Sequence, residues 1–253
     1  MNYDEFKETY ELINRKFEKL QEEVASYKGV TIPYLYYTDF VDYAMNKLGI
    51  KFQNTSMPDE LADKMSGMLI VANGKKKVVV NKKTHPNRQH FTLMHELSHA
   101  LLHADLNKSQ SFSDLLDDNS YSEDEQLDEA EANIGAGILM ANDMALHHAI
   151  IDNYNFYNFA RNVGMSSSAL YFRTRQFLSA NFGMNINGYD TIKLTNLCEK
   201  YGFGIILEKI GESYRGFFDR RMEERGEKFC DLTILEFNNP YFQRPSWLLQ
   251  NMS

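Results

Sequence analysis

The stretch Phe91-Thr92-Leu93-Met94-His95-Glu96-Leu97-Ser98-His99-Ala100-Leu101-Leu102-His103 carries an H-E-x-x-H pentad inside a pattern that predicts an amphipathic helix. Four residues along an α-helix make about 400° of rotation and about 6 Å of rise. His95 and His99 therefore project from one face, one turn apart, where two imidazoles can grip one metal ion. Imidazole nitrogen suits a borderline cation such as zinc, for which two histidines and one carboxylate form a catalytic set. Glu96 flanks the pair and can take a proton from a water activated there. Met94, Leu97 and Leu101 follow the i, i+3, i+7 spacing of a buried stripe, and both histidines lie off it. The competing reading is a core helix with incidental histidines.

Two histidines do not complete a zinc site; a third protein ligand is needed, with one position left for water. A third histidine six residues after the second, with an intervening glycine, would make the metzincin arrangement. Asp105 stands at that place and Leu102 where the glycine would be, so this option is excluded. His103 lies two turns after His95, where a straight helix does not bring a third donor round one ion. A supporting or solvent-facing role is expected for it. Later carboxylates Glu123, Glu125, Asp128, Glu129 and Glu131 are the remaining candidates. Glu129 shares a helical face with Asn133 and the small Ala136, and Glu125 sits one turn earlier on that face. Spacing leaves the choice among them open.

Composition bounds the rest. The chain has 253 residues, 43% hydrophobic and 25% charged, which supports one or two globular domains with a sizeable core. No apolar run approaches the roughly 20 residues of a membrane span. Met1-Asn2-Tyr3-Asp4-Glu5-Phe6-Lys7 lacks the basic flank and apolar stretch of a secretory signal. Cys198 and Cys230 form no C-x-x-C pair and read as free thiols, which fits a cytoplasmic protein. A net charge of -8 argues against broad adhesion to nucleic acid.

Working outward, residues from Tyr3 to about Val24 predict a helix with Phe6, Tyr10, Ile13, Phe17 and Leu20 on one stripe. A second helix is expected from Thr38 to Leu48, stopped by Gly49. Gly67 to Lys75 and Lys77 to Asn81 read as a hairpin, with Asn73-Gly74 as its turn because both turn positions want positive φ. Pro86 and Asn87 mark the entry to the pentad helix. Ser109 to Asp124, with Asp114, Asp117 and Asp118, reads as a solvated acidic loop. A helix from about Ser122 to Asn142 follows, with Leu127, Ala130, Ile134 and Ile138 as its apolar stripe. Its Ala132, Gly135, Ala136 and Gly137 are small enough for a close helix crossing.

Ala160, Gly164 and Leu170 have the rhythm of a helix-turn-helix, with Ser166 capping the second helix, on which Arg173 and Arg175 lie. A DNA-reading role is open to it; a scaffold hairpin is the plainer reading. Adjacent His147 and His148 read as a solvent-facing pair. From about Ile186 the pattern changes: Ile192 to Tyr201 looks helical, and Gly204 to Glu208 and Asp231 to Glu236 look like strands. The expected division is a domain over 1–183, including helix-turn-helix-like helices at about 152–178, and a small α/β region over 184–253.

The pentad segment, followed by Glu129-Ala130-Glu131-Ala132-Asn133-Ile134-Gly135-Ala136-Gly137-Ile138-Leu139-Met140, resembles the ImmA/IrrE metallo-endopeptidases. The family pattern is an F-T-x-x-H-E-x-x-H helix, then an E-x-x-A-N helix ending in a Leu-Leu-Met-Pro run. The resemblance covers roughly Gly67 to Phe177. Ala141 stands where the family has proline, and Gly135 and Gly137 interrupt its aromatic-alanine run; neither departure touches a ligand. The resemblance implies a mostly helical zincin-like core with a small antiparallel sheet. With the helix-turn-helix-like segment, and with the C-terminal α/β appendage read from the pattern above, which the resemblance does not cover, the expected fold class is α+β. The resemblance places the third ligand at Glu129 and a supporting amide at Asn133, beside His95, His99 and the base Glu96.

The expected activity is that of a zinc-dependent endopeptidase with one Zn2+ per chain, Mn2+ being the alternative occupant of the same donors. His103, His147, His148 and several tyrosines are candidate donors to the oxyanion. The resemblance further implies a helix-turn-helix repressor as substrate, cleaved to release genes of a bacterial mobile element or stress response. A second reading is a non-proteolytic metal-containing regulator that binds DNA or a protein partner. A third is sequestration of a partner through residues after Ile186.

Overall fold

The computed structural model describes residues 2–58, 60, 64–115 and 123–211. Helix α1, Tyr3–Lys28, opens on a capping box: Asn2 accepts from the Glu5 N–H at 3.0 Å, and the Glu5 carboxylate accepts from the Asn2 N–H at 2.8 Å. Phe6, Tyr10, Ile13 and Phe17 are buried along it as the stripe predicts. A short 3-10 turn, Ile32–Tyr34, leads into α2, Tyr37–Asn46.

Strands β1 (Lys51–Thr55), β2 (Met65–Ala72), β3 (Lys75–Asn81) and β4 (Gln110–Leu115) form one sheet in the order β1-β3-β2-β4. β2 and β3 make the expected hairpin, and Asn73 and Gly74 take φ of 52° and 69° in its turn. The sheet is mixed rather than antiparallel, because β1 runs parallel to β3. Gln110 to Leu115, expected as solvated loop, is an edge strand paired with β2, Phe112 opposite Leu69 and Asp114 against Gly67. Its polar residues suit an edge. The remainder of that expected loop, 116–122, lies outside the described residues.

Helix α3, Pro86–Leu102, crosses one face of the sheet, and α4, Glu123–Met140, packs on α3. Every residue of α3 from Met94 to Ala100 is buried, so its centre is enclosed on all sides rather than amphipathic, and the histidines are as buried as the stripe. Small side chains let α4 come close: a Cβ at Gly135 would stand 2.7 Å from Ser98 Oγ and 2.9 Å from the Phe17 ring. Leu127, expected on the buried stripe of α4, is 51% exposed; burial along this helix is concentrated from Ala132 onward.

Helices α5 (Asp143–Ile151), α6 (Phe156–Asn162), α7 (Ser167–Phe182) and α8 (Tyr189–Tyr201) complete the described core. The α6–α7 turn follows the sequence expectation. Gly164 takes φ of 73°, a Cβ there would meet the Tyr37 ring at 2.8 Å, and Ser166 accepts from the Ala169 N–H at 3.1 Å. Gly204 to Glu208, expected as a strand, is instead a turn running into a helix over 205–211. Phe203 and Ile206, three apart, are both fully buried, and Phe203 packs its ring on Phe156 and Phe159 at centroid distances of 5.5 and 5.4 Å. Leu194, Cys198, Phe203 and Ile206 join the same hydrophobic cluster as α1, α3 and α4. The expected strand at Asp231 to Glu236, and Cys230, lie outside the described residues.

Among the described residues no single helix is long and apolar enough to cross a membrane. The bent pair α4–α5 has suitable hydropathy, but it forms the buried core.

Candidate metal centre

Helix α3 starts where the sequence marks it. Pro86 occupies the first turn, and the His85 ring accepts from the Asn87 N–H at 3.3 Å. At the other end, Lys76 of β3 donates to the Ala100 carbonyl and satisfies one of the carbonyls a helix C-terminus leaves open. Between these fixed ends, His95 and His99 present their Nε2 atoms 3.1 Å apart.

Glu129 of α4 closes the triangle, with Oε2 at 3.1 Å from His95 Nε2 and Oε1 at 3.2 Å from His99 Nε2. Donors about 2.1 Å from a tetrahedral cation stand about 3.4 Å from one another, so these spacings are close to those of a zinc-sized ion. Among the described residues, these three are the group that could hold a metal. Of the other carboxylate candidates, Asp128 and Glu131 turn to His103, at 3.9 and 3.0 Å. The side chains of Glu123 and Asp124 are not among those described. Glu125 lies on the exposed start of α4 and is not in this group.

Partners behind the ligands fix their tautomers. The Asn133 Oδ1 is 3.0 Å from His95 Nδ1. An amide oxygen only accepts, so Nδ1 carries the hydrogen and a neutral His95 keeps its Nε2 lone pair turned inward. Behind His99, the Nδ1 atoms of His99 and His103 are 2.9 Å apart, and His103 Nε2 faces Glu131 Oε2 at 3.0 Å. With Glu131 taking the His103 Nε2–H, the His103 Nδ1 is placed to accept from the Nδ1–H of His99. Both Nε2 lone pairs then converge on one point with the carboxylate. His103 is thus the supporting residue that the sequence allowed, and it is not free to serve as an oxyanion donor.

The electrostatics follow the same geometry. Burial lowers His99, as expected for an imidazole kept neutral. Burial also works against a charged His95, but its hydrogen bond to Glu129 and the charges of Asp114, Glu96 and Glu129 overcome this and raise it to about 9. Glu129, despite its burial, is drawn down to about 2 by its contacts with His95 and His99, the proton that His95 carries in the metal-free protein being the one donated. A proton on His95 and a divalent cation compete for the same lone pair, and two convergent neutral imidazoles with a carboxylate fit the cation.

Glu96 lies beside this centre with neither carboxylate oxygen paired to another side chain, and only the backbone of Asp114 draws on it. Burial raises it to about 8, with Asp114 and Glu129 adding to the effect and His95 opposing it. A fully buried, unpartnered carboxyl is costly, and such groups mark functional sites. The close approach of α3 to β2 at this level depends on Gly67: a Cβ there would stand 2.3 Å from Thr92 Cγ2 and 2.9 Å from the Val79 carbonyl oxygen, and in ordinary contact, 3.5 Å, with Glu96 Oε1.

The sequence missed Asp114 in this role. It sits 5% exposed, accepts from Thr92 at 2.9 Å, and pairs with Arg88 at 2.8 Å, while Arg88 also donates to Ser66 at 2.9 Å. This ties β4 and β2 to the first turns of α3. Asp114 lay inside the acidic stretch read as loop; the alternation of Ser111, Phe112 and Ser113 was the available signal. Phe112 stacks on His99 with ring centroids 4.8 Å apart.

Other candidates fall away from the centre. His147 and His148 are half-buried on α5 rather than solvent-facing: burial pushes His147 down to about 3, and His148 packs edge-on to Tyr34 at 5.6 Å. The two arginines considered for DNA are buried. Arg173 bonds Asp143 at 2.6 Å, Tyr10 at 3.0 Å and the Ala141 carbonyl at 2.9 Å. Arg175 bonds the Ile186 carbonyl at 2.7 Å and Asn187 at 2.6 Å. Neither guanidinium is presented to a phosphate backbone.

Comparison with known proteins agrees with this geometry. Residues 45–175 match the family model of the IrrE N-terminal-like domain. The chain is also similar to the radiation response metalloprotease IrrE of Deinococcus deserti, 41% identical over 63 residues, which cover 25% of this chain and 21% of that protein. The match thus spans about a fifth of that relative's length.

Proposed function

As the chain belongs to the ImmA/IrrE family of metallopeptidases, we propose that it is a zinc-dependent endopeptidase that cleaves a helix-turn-helix transcriptional repressor. The observation that carries the catalytic part is the buried, unpartnered Glu96 beside three convergent donors. A site kept only for structure has no use for such a carboxylate.

His95, His99 and Glu129 would hold the cation, and Zn2+ suits two imidazoles and one carboxylate. When bound there, a divalent cation supplies Lewis-acid activation of water and of a peptide carbonyl. With a cation held there, Glu96 would be ionised more readily than its burial alone allows. Glu96 accepts the proton of the attacking water and returns it to the leaving amine nitrogen. Asn133 on one side, and His103 with Glu131 on the other, hold both imidazoles in the donating tautomer throughout.

The choice of substrate rests on the resemblance to regulatory proteases of bacteria and their mobile elements. A net charge of -8 is compatible with a basic DNA-binding substrate. The non-proteolytic DNA-binding alternative loses support from the burial of Arg173 and Arg175. Purified protein would be assayed for metal by elemental analysis, then incubated with helix-turn-helix repressors encoded beside its gene, with products read by intact-mass spectrometry. About one zinc per chain and a discrete cut in one repressor are expected. A well-folded protein with no metal affinity, or with zinc bound and every repressor intact, would overturn the respective half of the proposal.

A further inference from the structure

The four strands carry one carboxylate between them, Asp114, and it is turned inward to Arg88 and Thr92. From Lys64 to His95 the sequence holds seven lysines and arginines and no Asp or Glu, in a chain of net charge -8. The positive charge of an acidic protein is gathered on its sheet.

Alternation along the strands tells which way the lysines point. Val78 is fully buried, and Lys76 donates to the Ala100 carbonyl of α3, so Lys75 and Lys77 stand on the opposite, outer face. Lys51 lies in register with Lys77 while Phe52 lies in register with Val78, which sets Lys51 beside Lys77 on that outer face. Lys51 and Lys75 are exposed and Lys77 is half-exposed. Among the described residues none of the three makes an ion pair, whereas Lys28 is held between Asp39 and Asp42. Like charges side by side on neighbouring strands destabilise a sheet, and an anion laid across both removes that cost. Lys64 and Lys82, also exposed, stand at the end where β2 starts and β3 stops. The other outward positions are neutral. Ile70 and Ser111 continue the row from Lys77 across the sheet, and Gln53 flanks Val79. Met68, Ile70 and Val79 pack with Met57 and Met65, which stiffens the centre of the face.

We propose that this outer sheet face docks on the phosphate backbone of double-stranded DNA, without regard to sequence. β3 runs about 20 Å from Lys75 to Asn81 and the four strands span about 14 Å, a face that covers about six base pairs. Lysine ammonium groups beside serine hydroxyls and a glutamine amide are the chemistry of phosphate contact. The strands hold no arginine to read a base edge, and their two aromatic rings, Phe52 and Phe112, face inward, so there is no platform on which a single strand could stack. The exposed acids of α1, such as Glu8, Glu11 and Glu22, sit on a helix that packs against α2, α4 and α7. At physiological salt, charges more than about 8 Å away are screened, so the local sign of the sheet governs what it meets. This face is separate from the helix-turn-helix-like pair, whose arginines are buried. If the substrate is a repressor, as proposed above, docking brings the peptidase to the DNA that its substrate occupies.

The test is fluorescence anisotropy of a labelled duplex of arbitrary sequence, titrated with the full chain. Between about 50 and 200 mM salt, log K should fall linearly with log salt at a slope of about -3 to -4, as for about four neutralised phosphates, and equally for a second, unrelated duplex. Lys51→Ala and Lys77→Ala should each reduce the magnitude of that slope by about 1, and Lys19→Ala, exposed on α1, should leave it unchanged. The double substitution Lys51→Glu with Lys77→Glu should abolish binding, with thermal melts confirming that it is folded. Glu96→Gln protein should bind as the wild type does, so failure of the peptidase reading and failure of this one are told apart. No binding at the lowest salt, or a slope that the sheet variants leave intact, overturns the proposal. Polyglutamate held more tightly than the duplex also overturns it and makes the occupant an acidic protein; anionic lipid vesicles held more tightly make it a membrane surface.

Discussion

The Nδ1 atoms of His99 and His103 lie 2.9 Å apart, so one of these two rings must donate to the other. Glu131 decides which, by taking the opposite hydrogen of His103 at 3.0 Å. Removing the chain of partners frees His99 to adopt the wrong tautomer or to rotate. His103→Ala should therefore weaken zinc binding by about 10- to 100-fold, and Glu131→Gln by a smaller factor in the same direction. Competition with a chromophoric chelator reads this directly; unchanged affinity in both variants would refute the relay.

Glu96→Gln keeps the volume and removes the base. It should abolish cleavage, by at least about 10²- to 10⁴-fold, while zinc content stays near one per chain. Thermal stability of the metal-free protein should change little near neutral pH, because burial already holds this carboxyl largely protonated. Cleavage that survives the substitution would mean that another group carries the proton.

The metal-free protein, prepared by chelation, should show an opposed pH dependence of stability and affinity. His95 is raised from 6.5 to about 9, so its pairing stabilises the fold fully below about 6.5 and is lost as pH rises through about 9. Glu129 is lowered from 4.5 to about 2, so its share is full above about 4.5 and is lost as pH falls through about 2. This pair therefore stabilises the metal-free fold most between about 4.5 and 6.5. Zinc must displace the His95 proton, so its affinity should climb by up to about tenfold per pH unit between 6 and 8. Titration calorimetry in buffers of different ionisation enthalpy should find about one proton released per ion; none released would contradict the charged state assigned to His95.

Gly67→Ala places a methyl group 2.3 Å from Thr92 Cγ2 and 2.9 Å from a backbone oxygen that cannot swing away. Overpacking of this kind costs about 1–3 kcal/mol. The shift would press α3 away from β2 at the level of Glu96, so activity should fall more than zinc affinity does. Denaturant melts and metal titration on the same preparation separate the two effects.

The pentad helix, the α1 stripe, the Asn73-Gly74 hairpin and the Gly164 turn were legible because each rests on local rules of spacing or φ. Glu129 was not separable from its neighbours by spacing, since the choice depends on the angle and height at which α4 crosses α3, a tertiary quantity. The resemblance supplied what periodicity could not. β4 was missed because an edge strand tolerates Ser111, Ser113 and Asp114, and the partner that draws Asp114 inward, Arg88, is 26 residues away. Gly204 to Glu208 misled through its β-branched pair Ile205 and Ile206; the need to seat Phe203 and Ile206 on α6 won over local propensity.

Arg88 and Asp114 have a further consequence for assembly. Ligands on α3 and α4 belong to segments joined only by a long excursion that includes β4. A cation held by both helices pins the two ends of that excursion, and the Arg88–Asp114 pair pins its middle. A cation that binds only the folded arrangement shifts the balance toward it by mass action. In the proposed enzyme the ion would be a reversible staple as well as a reagent, its supply setting both whether the protein acts and how firmly α3 and α4 stay together.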